Sequence, residues 1–73
     1  MNYHRFLIVI EEAGHNFSSY SPDLPGCVAA GETREETEQL MYEAIQMHLE
    51  GLREDGLPVP PSTTIAEYVV VGA

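Results

Sequence analysis

All five prolines of the chain fall in two short clusters: Pro22 with Pro25, and Pro58 with Pro60 and Pro61. Proline fixes φ and lacks a backbone N–H. It therefore interrupts helix interiors and central strands, and it holds the residue before it extended. The clusters cut the chain into a leading piece up to Ser21, a middle piece from Gly26 to Leu57 and a closing piece from Ser62. Helical periodicity is found in the middle piece, so the fold is to be built from one helix and what the outer pieces supply.

The helix has both of its ends written in sequence. Thr33 is a good N-cap and Glu36 stands three residues on, which makes a capping box. Glu35 and Glu36 also suit the positive end of the helix dipole. The pattern predicts a helix from about Arg34 to Asp55, with Gly56 as its stop. Leu40, Met41, Ala44, Ile45, His48, Leu49 and Leu52 form one apolar stripe. Glu35, Glu38, Glu43, Glu50 and Glu54 lie largely off it, on the wet side. Gly51 weakens the helix by roughly 0.5–1 kcal/mol relative to Ala. Close packing of that glycine on the sheet would account for it.

The outer pieces read as strands. Tyr3 to Ile10 is aromatic and β-branched, and its unbroken Phe6–Ile10 run predicts a central strand covered on both faces. Glu11-Glu12-Ala13-Gly14 reads as a turn, Asn16–Ser21 as a second strand and Cys27–Ala30 as a short third. Leu57 to Ser62 is a stiff return segment, and Ile65–Val71 reads as a fourth strand. The order is β-β-β-α-β. A right-handed crossover sets strand four parallel beside strand one. The expected fold is α+β: a four-stranded mixed sheet of order 3-2-1-4 with one helix on one face, in a single domain over residues 1–73. The other face, carrying Phe6, Ile8 and Ile10 or their alternates, is left bare. A chain of 73 residues buries only about 60% of its unfolded surface. With Cys27 as the sole cysteine it has no internal disulfide, and no Cys/His cluster offers structural zinc. A homodimer, a higher oligomer or another protein is the expected support.

Charge narrows the function. Twelve acids stand against Arg5, Arg34 and Arg53, with no lysine, for a net charge of −9. Phosphate backbones are bound by Lys and Arg, so direct nucleic-acid binding is not expected. The same charge attracts a basic protein, or simply keeps a surface soluble. The apolar run at Phe6–Ile10 is too short for a signal peptide or a membrane span, and the chain reads as cytoplasmic. His4, His15 and His48 lack metal-ligand spacing. Cys27 has no base placed near it and reads as a small buried hydrophobe. The acids do not converge from strand ends as a Mg²⁺ site requires. No enzyme activity, cofactor or metal is expected.

Ser21-Pro22-Asp23-Leu24-Pro25-Gly26 is stiff, and reads either as a structural corner or as a platform holding Asp23 and Leu24 outward. Tyr20-Ser21-Pro22-Asp23-Leu24-Pro25-Gly26-Cys27, Gly31-Glu32-Thr33, Glu43-Ala44-Ile45, His48-Leu49-Glu50-Gly51-Leu52 and Gly56-Leu57-Pro58-Val59-Pro60 together resemble the HicB antitoxin family. The resemblance spans Tyr3 to Val71. It implies a reduced relative of the RNase H fold without catalytic acids. It also implies a binding function, neutralisation of a small basic mRNA-cleaving HicA-type toxin. Many members of that family carry a C-terminal DNA-binding module. Here the sequence stops just after the expected fourth strand, so operator binding is not expected. For exposure and charge, the candidate partner-binding residues are Tyr20, Asp23, Leu24, Glu32, Glu35 and Glu38. The competing expectation is a self-associating structural module of the same fold with no toxin target.

Overall fold

The computed structural model describes residues 3–73. Three strands, β1 (Val9–Ala13), β2 (Asn16–Tyr20) and β3 (Val28–Gly31), precede one helix, α1 (Arg34–Glu54). The strands form an antiparallel sheet in the order β1-β2-β3. This corrects the expected four-stranded mixed sheet of order 3-2-1-4. Ile65–Val71, expected as the fourth strand, has no regular secondary structure and is absent from the three-stranded sheet formed by the described residues. As a result β1 is an edge strand, not a central one.

The hairpin register explains a second difference. Val9 pairs with Tyr20, and Ala13 pairs with Asn16 across the two-residue loop Gly14-His15. Gly14 has φ +77°, and a glycine with positive φ at the first loop position suits the twist of two-residue hairpins. Glu11, Glu12 and Ala13 therefore belong to β1 and not to the turn. Phe6, Leu7 and Ile8 lie before the strand, half-buried.

Alternation sends Ile10 of β1, Phe17 and Ser19 of β2, and Ala29 and Gly31 of β3 to the helix side. The core is small. Leu24, Cys27 and Met41 are its buried apolar residues, with Phe6, Ile8, Ala29, Ala44, Ile45 and Leu49 packed around them. Burying side chains the size of Leu24 and Met41 contributes about 1.5–3 kcal/mol each. The helix stripe is seated as expected at Met41, Ala44, Ile45, His48, Leu49 and Leu52, whereas Leu40 sits at its exposed margin.

Both helix ends follow the sequence. The Thr33 hydroxyl accepts from the Glu36 N–H at 3.0 Å, and the Glu36 carboxylate accepts from the N–H of Glu32 at 3.0 Å. At the other end the Leu57 N–H donates to the Leu52 carbonyl at 2.9 Å, and Gly56 donates to Arg53 at 3.1 Å. With Gly56 at φ +67° this is the Schellman termination. The close helix–sheet approach lies at Gly31, not at Gly51. A Cβ on Gly31 would lie 2.8 Å from the Thr37 hydroxyl and 3.0 Å from its backbone nitrogen, while a Cβ on Gly51 would meet nothing.

The chain is longer than its core requires. Its Cα radius of gyration is 14.2 Å and its extents are 50 × 27 × 21 Å. A compact chain of this length would have a radius of about 11 Å. Beyond Pro61, Ile65, Tyr68, Val69, Val70 and Val71 are all exposed. Among the described residues no helix is long and apolar enough to cross a membrane.

Candidate partner-binding surface

The loop between β2 and β3 is two turns sharing one residue. The Leu24 N–H donates to the Ser21 carbonyl at 3.1 Å, and the Cys27 N–H donates to the Leu24 carbonyl at 3.1 Å. Pro22 and Pro25 each take the second position of a turn, where a fixed φ is favourable. Gly26, at φ +83°, takes the third position of the second turn, which a type II turn reserves for positive φ. Ser21 ties the loop to the segment ahead of β1: its hydroxyl donates to the Leu7 carbonyl at 2.9 Å.

This double turn overturns one expectation. Leu24 is not held outward; it is fully buried, with 0% exposure, against Cys27 and Met41. Leu24 is the residue the two turns share, and the loop folds it over the end of the sheet. A partner has no access to it. The loop is thus a corner that plugs the core, with Asp23 on its outer side.

Asp23 has its own internal partners. Its carboxylate accepts from the N–H groups of Thr63 and Thr64, both at 3.0 Å, and from their hydroxyls at 3.3 and 2.8 Å. These bonds, the Thr64 N–H foremost and then the Thr64 hydroxyl, hold the carboxyl below its ordinary pKa against a smaller opposing effect of desolvation. Thr63 and Thr64 carry no sequence signal that links them to Asp23. They were not among the candidate residues.

The other candidates lie in two places. Glu32, Glu35 and Glu38 are exposed around the start of α1, beside the likewise exposed Glu36. Tyr20, 43% exposed, lies on the sheet face turned away from the helix. There it sits between Val9 and Val28, its direct cross-strand partners. Val28 is 63% exposed, so the three make an apolar row across a bare sheet. The bare face is thus formed by the alternates of Ile8 and Ile10, not by those residues themselves. Opposite it, the Ser19 hydroxyl is buried without a hydrogen-bond partner. The helix flank and the bare sheet are different surfaces, so the candidates do not form one patch.

Residues 6–71 match the family described as HicB_like antitoxin of bacterial toxin-antitoxin system. The chain belongs to the HicB-like antitoxin family. It is 39% identical over 62 residues to an uncharacterized 14.9 kDa protein in the rep-hol intergenic region of Haemophilus phage HP1, a match covering 85% of this chain and 47% of that protein. The chain thus spans about half the length of that phage relative. A UPF0150 protein of Synechocystis sp. is 31% identical over 65 residues, covering 89% of this chain and 82% of that one. Among solved structures, a chain of a HicA3 and HicB3 toxin-antitoxin complex is similar, with a TM-score of 0.62 and 32% identity over 78% of this chain and 72% of that chain.

Proposed function

We propose that this antitoxin-family chain binds and neutralises a basic, HicA-type toxin through an acidic surface centred on the start of α1. The observation that carries this reading is its similarity to a chain of a HicA3 and HicB3 complex, joined to a net charge of −9 without a single lysine. Glu32, Glu35 and Glu38 are the proposed contacts, while the Asp23 carboxylate is already engaged by Thr63 and Thr64. An acidic flank of this kind speeds capture of a cationic protein and competes with RNA for the same basic groups. The chain acts by binding and not by catalysis, in the cytoplasm, and its partner is a protein and not a nucleic acid.

The decisive experiment is calorimetry or pull-down with a HicA-type protein at low and high salt. Binding weakens as salt rises, and Glu32→Lys with Glu35→Lys lowers affinity at least about tenfold, a loss of about 1.4 kcal/mol. Binding indifferent to both salt and charge reversal overturns the electrostatic reading.

A second reading has its own observation. The apolar row Val9–Tyr20–Val28 on the bare sheet and the exposed apolar tail favour self-association, as a homodimer or higher oligomer. Self-association without any toxin target would make the chain a structural module. A mass in solution above that of one chain, together with no capture of a HicA-type protein, is the result that selects it.

A further inference from the structure

We propose that Ile65–Val71 is a donor strand exchanged between two copies of this chain, each copy laying its tail along the free edge of the other's β1. The proposal rests on the self-association reading above and names the surface that performs it.

Two unsatisfied features of the same chain fit one another. The first is the edge of β1 that faces away from β2, which no strand among the described residues covers. An open edge presents unpaired N–H and C=O groups and is a template for another strand. The second is the tail. Ile65-Ala66-Glu67-Tyr68-Val69-Val70-Val71 is rich in residues that favour strands. Yet it is unpaired, with Val70 97% exposed. Seven extended residues reach about 23 Å, the length of an ordinary strand.

The hinge explains why the tail does not close on its own chain. Pro58, Pro60 and Pro61 stiffen the return segment, and the Asp23 carboxylate grips Thr63 and Thr64. The direction in which the tail leaves is therefore fixed before Ile65. Between this return segment and residues 3–8 lies an open slot of about 940 Å³, walled by His4, Phe6 and Ile8 on one side and Pro60, Thr64 and Ile65 on the other. His4 and Phe6 stack at 6.2 Å along one wall. The slot stands next to the start of β1 and is mostly apolar.

The occupant is a second copy because the exchange is reciprocal: each copy holds one tail and one slot, and a two-fold axis satisfies both at once. Glu67 is the tail's one acid, and Arg5, just ahead of β1, is the cation it can meet, while Glu11 and Glu12 of β1 leave the pairing to the backbone and the apolar side chains. One face of the added strand, Tyr68 with Val70, or the other, Val69 with Val71, would extend the apolar row of the bare sheet.

Two measurements on the full chain test this. Light scattering across the micromolar range gives the mass of the wild type and of Val69→Pro, which removes a ladder donor at a position 81% exposed in its own chain. A dimer is expected, and Val69→Pro is expected to weaken it at least about tenfold with its helical circular dichroism unchanged. In a Cys27→Ser background, a copy bearing Ile8→Cys is mixed with a copy bearing Val69→Cys. A disulfide between the two forms on oxidation, whereas Met47→Cys on the exposed helix face gives none. A monomeric wild type overturns self-association and exchange together. A dimer untouched by Val69→Pro, or free of the cross-link, overturns exchange alone. Neither result bears on toxin capture.

Discussion

The Asp23 carboxylate and Thr64 are 41 residues apart, and they meet through the Thr64 N–H at 3.0 Å and the Thr64 hydroxyl at 2.8 Å. This latch joins the double turn before β3 to the segment that follows the helix. It closes the chain into a ring around its small core.

The latch sets an acid dependence. Its hydrogen bonds hold the folded pKa of Asp23 below the ordinary 3.8. Its contribution is therefore complete above that value and fades as pH falls through the lowered one. Carboxyl chemical shifts followed by NMR should place the Asp23 midpoint below those of free aspartates. Asp23→Ala should make residues 58–71 several-fold more sensitive to a protease at neutral pH while leaving the helix intact.

Gly31 is where helix and sheet touch most closely. Gly31→Ala places a methyl 2.8 Å from the Thr37 hydroxyl, which donates to the Thr33 carbonyl at 2.8 Å. The helix must shift or that bond must break. Urea denaturation should show a loss of about 1–3 kcal/mol.

Gly51 lies on the opposite side of the same accounting. It is exposed within α1 and its Cβ direction is empty. Gly51→Ala should stabilise the chain by about 0.5–1 kcal/mol in the same denaturation. The opposite signs at Gly31 and Gly51 would confirm which glycine serves packing.

The capping box supports the first turn of the helix. Thr33→Ala should cost about 1 kcal/mol, and Thr33→Ser should cost little, because the Ser hydroxyl accepts from the Glu36 N–H equally well. Thermal melts of the two variants side by side check this.

What was legible in sequence was local. Thr33, Glu36 and Gly56 mark the helix ends through bonds spanning a few residues, and the apolar stripe through Met41, Ile45 and Leu49 marks its buried face. The family was also readable, because Ser-Pro-Asp-Leu-Pro-Gly-Cys records a double turn that few other residues can make. The failures were of long range or of direction. Ile65–Val71 has the composition of a strand, but composition does not say whether an edge is within reach, and the tail stays out of the sheet. The same excess of local reading put Glu11 and Glu12 in a turn, when Gly14 and His15 alone suffice for it. Leu24 looked like a displayed side chain because its neighbours Asp23 and Pro25 are surface types. Only the shared corner of two turns shows that it faces inward. Gly51 drew notice through its place in a helix, while Gly31, at the end of a strand, gave no such signal.

Cys27 stands behind that corner, 5% exposed, its thiol pushed above the ordinary value by burial. A thiol reagent reaches the sulfur only when the packing around Cys27, which includes Leu24 and Met41, loosens. The labelling rate of this one atom is thus a stopwatch for the breathing of the whole seam between corner, sheet and helix.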